Sequence, residues 1–457
     1  MIGMRTVCSV RKLGPLSAPV LHTLKVAGGM QQQQQQYQQT RIQQCQQQQQ
    51  QLYHRRAGGA DDHRRTIISV APAADVKPAR LGPEVFFKAV CDHGIQFFCG
   101  VPDSRLKDFC AYVTHNTTPQ DHVITSNEGA AVGLASGYHL ASGKVPMVYL
   151  QNSGLGNMVN PLMSLANPTV YSIPMLLLIG WRGEPGVKDE PQHLAQGAIT
   201  EEMLACMGIP CEVLPKDETE MQELLSRATN YFEVNKGPYA VLVKTDTFSK
   251  YSLPKDETEP FPLTREEALV KVVDCLNDQD AVVGTTGMLS RELFEYRVLM
   301  NMGHARDFLT VGSMGHASSI ALGIALHKPG RQVFCLDGDG AVLMHMGTMA
   351  TIGQQGPGNL KHIIFNNGAH DSVGGQPTEA GNHDTFDLCS IARACGYREA
   401  LVAVTPEEIE EKVRYLHKSQ GPILLELKVK LGSRNDLGRP TRTTHENKSD
   451  FMDFLKV

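Results

Sequence analysis

The sequence lacks an apolar stretch long enough to cross a lipid bilayer. Its longest apolar run, 171–181, contains Ser172 and Pro174 and is far shorter than the roughly 20 residues of a spanning helix. The 11 cysteines form no Cys-x-x-Cys pair, and none of the 17 histidines lies in a His-Glu-x-x-His motif. The sequence therefore predicts neither a membrane-spanning protein, nor a disulfide framework, nor a zinc site.

A strong net charge is missing as well. The formal net charge is -5 over 457 residues, and no block of like charges forms an acidic tail or a basic patch. The electrostatic signature of nucleic-acid binding is therefore absent. We expect a soluble, non-secreted protein that binds a small-molecule substrate, without nucleic acid or membrane as a partner.

The N-terminal segment has its own composition. The first 60 residues contain no Asp or Glu, but they carry Arg and Lys and a glutamine-rich tract at Gln31–Gln51. The basic character is typical of an organellar transit peptide. The low-complexity tract is instead typical of a disordered extension, because it buries too little apolar surface to fold. We expect residues 1–80 to lie outside the fold, with a mitochondrial and a cytoplasmic location both open.

Short apolar strands alternate with helical segments from residue 81 onward, and this alternation favours parallel sheets covered by helices. The polar segment 251–262 contains three prolines and predicts a linker. We therefore predict an α/β protein with two doubly wound parallel-sheet domains at 81–250 and 263–457. The predicted strands are 95–99, 122–125, 145–150, 175–179, 239–243, 281–284, 332–336, 362–365 and 423–429.

Polar residues follow two predicted strands of the second domain. One strand ends in Gly338-Asp339-Gly340 and the next in Asn366-Asn367, so the carboxylate and the amides share the ligand-binding edge of the sheet. A helix predicted from Ala341 would point its first N–H groups at a phosphate. A carboxylate, an amide oxygen and a phosphate suit magnesium. The third glycine of a dinucleotide fingerprint and the Walker spacing are both missing.

This pair of motifs resembles the thiamine-diphosphate enzymes, and the resemblance extends over nearly all of 81–457. It implies a pyrimidine-binding first domain, a diphosphate-binding second domain, and thiamine diphosphate with Mg²⁺ as cofactors. The cofactor residues that it implies in the second domain are Gly312, Met314, Gly338, Asp339, Gly340, Ala341 and Asn367. The metal ligands would be Asp339, the Asn367 side chain and the Ala369 carbonyl, with Asn366 as the alternative to Asn367.

Two further segments follow the same family pattern. Gly312-Ser-Met-Gly315 resembles the segment in which a bulky side chain, here Met314, holds the cofactor bent and the Gly312 carbonyl accepts from its exocyclic amine. Ser126-Asn-Glu-Gly-Ala130 resembles the segment whose glutamate shares a proton with the pyrimidine ring. Burial would raise the pKa of Glu128 for that task; the alternative is an ordinary helix N-terminal charge.

Several loops narrow the resemblance within the family, to the decarboxylases that act on 3-phosphonopyruvate. The matching segments are 100–104, 151–157, 179–186, 188–193 and 285–292. The resemblance implies a carboxy-lyase that releases phosphonoacetaldehyde and carbon dioxide in phosphonate biosynthesis. The alternatives are a sulfopyruvate decarboxylase, an acetolactate-type ligase, for whose middle domain the chain is too short, and a catalytically idle scaffold with a glutamine-rich interaction tail.

A substrate with a carboxylate and a phosphonate needs cationic and neutral donors. The candidate substrate residues are Ser104, Gln151, Asn152, Arg182, Lys188 and His193, and the candidate proton donors are His316 and His370. Arg182 and Lys188 could instead pair with Glu184, Asp189 or Glu190 in a structural loop. The resemblance also implies a homo-oligomer whose sites take Glu128 from one subunit and Asp339 from another.

Overall fold

Two six-stranded parallel sheets form the framework of the computed structural model, which describes residues 80–254 and 260–456. The strands of the first sheet are β1 (Phe98–Gly100), β2 (His122–Ile124), β3 (Met147–Gln151), β4 (Met175–Gly180), β5 (Cys211–Val213) and β6 (Pro238–Val243). Those of the second are β7 (Ala281–Gly284), β8 (Asp307–Leu309), β9 (Val333–Gly338), β10 (Leu360–Asn366), β13 (Glu399–Ala403) and β14 (Ile423–Lys428). A small antiparallel pair joins β11 (Ala369–His370) and β12 (Gln376–Pro377).

The two sheets have the same connectivity. The first has the strand order β2-β1-β3-β4-β6-β5, and the second has the order β8-β7-β9-β10-β14-β13. Counted from its own first strand, each sheet is therefore ordered 2-1-3-4-6-5, which confirms the predicted doubly wound α/β class. In such sheets the strand order reverses at a switch point, here between β1 and β3 and between β7 and β9, and ligands bind there at the carboxyl ends of the strands.

Helices lie between and beside the strands. They are α1 (Pro83–Asp92), α2 (Lys107–Asn116), α3 (Glu128–Ser142), α4 (Leu155–Pro161), α5 (Pro191–Ala198), α6 (Thr200–Cys206), α7 (Glu218–Asn235), α8 (Arg265–Asp274), α9 (Met288–Leu299), α10 (Ala317–His327), α11 (Asp339–Met344), α12 (Gly347–Gln355), α13 (Leu388–Ala394), α14 (Pro406–Lys418) and α15 (Thr444–Phe454). None of the helices that the structure describes is long and apolar enough to cross a membrane.

Both faces of each sheet are buried. Along β3, Met147 and Tyr149 pack into one apolar cluster and Val148 and Leu150 into another, because successive side chains of a strand point to opposite faces. The second sheet is likewise packed between two clusters. Each fully buried large apolar side chain contributes about 1.5–3 kcal/mol to stability, so the strands place the site on a rigid base.

The sequence missed five strands: β5, β8 and β13 of the two large sheets, and the two-residue strands β11 and β12. β5, β8 and β13 are each the outermost strand of a sheet and contain half-buried residues. None of these three therefore has the continuous apolar run of a central strand. The nine predicted strands all overlap observed ones, although β1 begins at Phe98 rather than at residue 95. The helix predicted from Ala341 begins at Asp339, which puts the candidate metal ligand itself in the first helical turn.

Two other predictions meet the limits of the described residues. The prediction of a transit segment or disordered extension at 1–80 falls almost entirely on residues outside them. Of the predicted linker, 251–254 and 260–262 contain no helix or strand, and 255–259 lie outside the described residues.

Candidate active site

Asp339 lies at the carboxyl edge of the second sheet, directly after β9. Its carboxyl group is 2% exposed, and its Oδ2 accepts a hydrogen bond from the Thr378 hydroxyl at 2.5 Å. Burial raises the pKa of Asp339 to about 6, although the Thr378 hydroxyl and the backbone N–H groups of Gly340 and Asn367 act in the opposite direction. No Lys or Arg of the described residues offsets this burial. A buried carboxylate without a cationic side chain suits a bound metal ion.

The structure separates the roles of the two asparagines. Asn366 is 1% exposed; its Nδ2 donates to Glu426 Oε1 at 2.7 Å and to Ala380 O at 3.1 Å, and its Oδ1 accepts from Gly368 N. Its side chain is therefore fully used in holding the loop. Within the described part of the chain, Asn367 Oδ1 accepts only from Ala369 N, at 3.2 Å, and an amide oxygen has room for a second partner. Asn367 is the asparagine that fits a metal.

The Ala369 carbonyl belongs to the same loop. Ala369 lies opposite Pro377 in the β11–β12 pair, and proline has no N–H to donate to it. Thr378 N donates to Gly368 O at 2.9 Å, so Thr378 holds both this loop and the Asp339 carboxylate. The predicted oxygen set is thus gathered at one edge of the sheet.

The segment predicted to hold the bent cofactor packs on helix α11. Gly315 has φ +84°, and a Cβ there would lie 2.8 Å from Ala341 O, so only glycine fits this turn. Met314 Cε and the His370 ring both approach Gly340, at 3.4 Å and 2.9 Å from where a Cβ on that glycine would lie. The structure therefore brings together Met314, Gly340 and His370, three residues that the sequence proposed separately. Gly312 lies at the start of this segment, beside the first half of the chain at Gln192.

Glu128 begins helix α3 and is 5% exposed. The Asn127 side chain caps the helix by accepting from Gly129 N and Ala130 N. Burial raises the pKa of Glu128, and a hydrogen bond from Asn157 Nδ2 to its Oε2, at 2.7 Å, partly offsets this. Its carboxyl group lies against Gly154, where a Cβ would be 2.3 Å from Oε1. Glu128 is therefore a buried carboxyl with one oxygen unused, rather than an exposed helix charge.

The two halves of the chain meet beside these residues. Asn127 Nδ2 lies 3.4 Å from Met344 O, so the residue before Glu128 contacts the helix that begins with Asp339. This contact lies within one chain. That the two parts of a site come from two subunits stays a prediction.

Comparisons with known proteins agree with this geometry. The family model "Thiamine pyrophosphate enzyme, N-terminal TPP binding domain" matches residues 81–204, and the corresponding C-terminal TPP binding domain matches 283–427. A phosphonopyruvate decarboxylase of Streptomyces viridochromogenes is 34% identical over 379 residues, which are 79% of this chain and 92% of that protein. This chain belongs to the thiamine-diphosphate-dependent decarboxylases.

Two further relatives define its place among the decarboxylases. A phosphonopyruvate decarboxylase of Streptomyces hygroscopicus is 34% identical over 79% of this chain and 90% of that protein. A sulfopyruvate decarboxylase of Methanosarcina acetivorans is 30% identical over 75% of this chain and 89% of that protein. The predicted family and carboxy-lyase class are confirmed, and the chain carries both thiamine-diphosphate-binding domains of this family.

Arg182 of this decarboxylase is held by its own chain. Its Nε and its NH2 donate to the two oxygens of Asp189 at 2.8 and 2.5 Å, and its NH1 donates to Ser104 Oγ at 3.0 Å. Burial alone would raise the pKa of Asp189, but the hydrogen bonds from Arg182 and Gly183 N outweigh it and hold this pKa well below its usual range. Of the two interpretations of Arg182, the structure has the one in which this residue pairs with an acid of its own loop. The predicted substrate residue Ser104 is a second hydrogen-bond partner of Arg182.

The other candidate substrate residues lie around the same loop. The Asn152 side chain is 4% exposed and saturated, since it donates to Arg182 O and Thr200 Oγ1 and accepts from Arg182 N. Gln151 Nε2 donates to Ser153 Oγ at 2.6 Å. His193 is partly buried, its Nδ1 has no partner among the described residues, and burial lowers its pKa to about 4.

Lys188 is exposed and is not paired with the acids considered for it. Glu184 binds Lys244 and Glu190 binds Arg439 instead. Sequence reasoning missed Arg105, whose NH2 is 3.2 Å from Asp189 Oδ2, and Asp103, which is 0% exposed with its pKa raised by burial to about 6. Both follow β1 at the switch point of the first sheet, and that position was the signal that could have found them.

Proposed function

We propose that this enzyme decarboxylates 3-phosphonopyruvate to phosphonoacetaldehyde and carbon dioxide, as a step of phosphonate biosynthesis. The observation that carries a thiamine-diphosphate site is the pair of buried carboxyl groups that follow a strand of each sheet, Glu128 after β2 and Asp339 after β9. The substrate rests on two relatives named for phosphonopyruvate, each matched over nine-tenths of its length at 34% identity.

The second half supplies the oxygen ligands in this proposal. Asp339, the Asn367 side chain and the Ala369 carbonyl hold Mg²⁺, and Gly338, Gly340 and Ala341 leave their backbone free to approach the diphosphate. Thr378 keeps the Asp339 carboxylate turned towards this loop. When bound, thiamine diphosphate supplies a carbon nucleophile for the keto carbon and an electron sink for the carboxylate that leaves.

Glu128 holds a proton for the pyrimidine ring. Its raised pKa favours the protonated carboxyl, and since Asn157 donates to Oε2, Oε1 is the oxygen that carries and exchanges this proton. A positioned acid or base of this kind accelerates a reaction by about 10²–10⁴-fold. A neutral, uncharged Glu128 also avoids an unpaired charge in a buried site.

His370 is the proton donor of this proposal on the side of the metal loop. It is 7% exposed, and burial lowers its pKa to about 4, so the imidazole is neutral near pH 7 and has one N–H. Its ring lies against Gly340, within the group that contains Met314. From there the ring can take up a proton from solvent and pass it, as the imidazolium, to the product carbon before phosphonoacetaldehyde leaves, which returns the ring to its neutral form.

We also propose that the enzyme is a homo-oligomer. Helix α9 ends in an exposed apolar patch, with Val298, Leu299 and Met300 at 58%, 78% and 49% exposure. Exposed apolar patches of this kind are typical of protein interfaces. Light scattering of the purified protein tests this, and a fully active monomer would contradict it.

The experiment that tests the activity is a comparison of substrates. Purified protein is given thiamine diphosphate and Mg²⁺, and release of carbon dioxide and aldehyde is followed with phosphonopyruvate, sulfopyruvate and pyruvate. We expect turnover of phosphonopyruvate to exceed that of both others. Preference for sulfopyruvate would contradict phosphonopyruvate as the substrate and would favour a sulfopyruvate decarboxylase, the activity for which the Methanosarcina acetivorans relative is named. No turnover of any of the three would contradict the proposal.

A further inference from the structure

Two histidines from different elements are in contact beside the cofactor segment. His316 follows Gly315 at the start of α10, and His345 follows the last residue of α11. Their ring centroids are 4.3 Å apart with 54° between the ring planes. The sequence indicated His316 and missed His345, because nothing in the chain between 317 and 344 shows that the two loops meet.

Both rings have unused hydrogen-bonding capacity. His316 Nδ1 lies 3.1 Å from Ser313 O and 3.3 Å from Met314 O, and since carbonyls only accept, this nitrogen carries a hydrogen and Nε2 is left over. The Nε2 of His345 is buried and has no partner in the described part of the chain. An unpaired buried polar atom is destabilising, so a ligand that pairs with it is favoured.

The pair lies where the two halves of the site meet. A Cβ on Gly315 would be 2.7 Å from His345 Cδ2, which puts the His345 ring against the turn that carries Met314. Met344, the residue before His345, contacts Asn127 through its carbonyl, and Asn127 precedes Glu128. The pair is therefore close to both cofactor-binding segments.

No acidic side chain neutralises these rings. In the described ranges, the histidine–carboxylate pairs are His362 with Asp337 and His417 with Asp280. Two imidazoles this close repel each other when both are charged, and burial together with His316 lowers the pKa of His345. A tetrahedral dianion would remove the repulsion and accept a hydrogen bond from each ring.

We propose that His316 and His345 together bind the phosphonate group of the substrate. The inference rests on the proposed function and names the binding site of the group that distinguishes phosphonopyruvate from pyruvate. The class of ligand is a 2-keto acid with a tetrahedral oxyanion on its third carbon. His316 is then a binding residue rather than a proton donor. Arg182 is not needed for the phosphonate, because its N–H groups already donate to Asp189 and Ser104.

The test uses His345→Gln and His316→Gln in the holoenzyme, with His327→Gln as the matched control. His327 is an exposed histidine at the other end of α10, bonded only to Gly323 O. We expect each of the first two variants to raise KM for phosphonopyruvate about tenfold to a hundredfold, as for loss of a hydrogen bond to a charged group, with kcat within about threefold. In these two variants the slow turnover of pyruvate should be unchanged. In the His327→Gln control, KM and kcat for phosphonopyruvate should both equal those of the wild type.

A binding measurement separates this inference from the proposed function. Phosphonoacetate has the carboxylate and the phosphonate but no keto group, so calorimetric titration of the holoenzyme measures the anion site without turnover. Tighter binding to wild type than to His345→Gln, without decarboxylation of phosphonopyruvate, would support the anion site and contradict the activity. Unchanged KM and unchanged phosphonoacetate affinity would overturn the site, and a fall in kcat at constant KM would assign proton transfer instead.

Discussion

The two halves of the chain share one strand order but differ at the positions that follow equivalent strands. The third strand of each half leads directly into a helical turn, at Asn152 in the first half and at Asp339 in the second. The Asn152 side chain is satisfied by Arg182 and Thr200. Asp339 has a hydroxyl and backbone amides but no cation. With the same topology, the polar side chain at one switch point is thus satisfied by its own chain, whereas the carboxylate at the other has no cationic partner among the described residues.

The fourth strands continue this contrast. In the first half β4 leads to Arg182, whose charge Asp189 of the same chain neutralises. In the second half β10 leads to Asn367, a neutral amide with an oxygen to spare. A pair of neutralised charges makes a rigid loop, whereas an unneutralised carboxylate beside a neutral amide has the oxygen ligands that the proposed Mg²⁺ site requires.

The second strands carry a third pair of equivalent loops. The loop after β2 leads to Glu128, and the loop after β8 leads to Gly312 and Met314. In the family resemblance, both loops contact the pyrimidine of the cofactor. The resemblance therefore implies that equivalent loops of the two halves, one with a carboxyl group and one with an apolar side chain, contact a single cofactor.

The largest effect is expected from removal of the buried acid of the first half, Glu128. Glu128→Gln keeps the shape of the side chain and the Asn157 contact but loses the exchangeable proton, so kcat should fall about 10³-fold. Carbon dioxide release in a stopped assay measures this. Glu84→Gln, at an exposed acid in the first turn of α1, is the matched control, and an equal loss in both variants would remove Glu128 from the chemistry.

The next effect concerns the unneutralised carboxylate. Asp339→Asn should weaken binding of thiamine diphosphate in the presence of Mg²⁺ by about 100-fold or more, because even outer partners of a metal cost 10–100-fold. Asn152→Ala, at the equivalent position of the first half, should leave cofactor affinity unchanged and cost about 1–3 kcal/mol of stability. Titration calorimetry and thermal unfolding distinguish the two. Similar affinities of the Asp339→Asn and Asn152→Ala variants for thiamine diphosphate would contradict the proposed difference between the two positions.

A smaller effect is expected at Arg182. Arg182→Ala leaves the 4%-exposed Asp189 side chain without its main partner, and the free energy of unfolding should fall by about 2 kcal/mol, less than for a fully buried pair because Arg182 is 15% exposed. The KM for substrate should stay within about twofold. Arg227→Ala breaks the more exposed pair with Glu212 and should cost under about 1 kcal/mol. A tenfold rise in KM with unchanged stability would return Arg182 to the substrate site.

The smallest effect concerns how the stability contributed by one histidine of each half changes as the pH falls. Burial lowers the pKa of His122 to about 4, so below pH 6.5 the unfolded chain binds more protons and stability falls until about pH 4. Asp280 raises the pKa of His417, so that contribution is present in acid and is lost as pH rises through the folded pKa. Between pH 7 and 5.5, His122→Gln should lose about 1 kcal/mol less stability than wild type in denaturant titrations, and His417→Gln should lose more. Equal losses would contradict both assignments.

Much of the site could be predicted because its residues are local to strand ends. Gly338-Asp339-Gly340 is one short segment after a fully buried strand, and a parallel sheet brings its edge next to Asn366-Asn367 without further information. The choice between the two asparagines needed the structure, since it depends on Glu426 and Ala380 far along the chain. The sequence left Arg182 either as a substrate residue or as the partner of Glu184, Asp189 or Glu190, because which of these groups it contacts depends on how the loop folds.

By itself, the sequence determined the two α/β halves, the cofactor motifs and the buried acid, because each depends on apolar periodicity or on a few neighbouring residues. Only the tertiary structure decided which polar groups are already satisfied. It gave Asn152 and Arg182 partners within the chain, left Asp339 without a cationic partner among the described residues, and brought the ring of His345 against that of His316. Satisfaction of a buried polar group depends on atoms that are distant in the chain and close in space, and no local pattern records them.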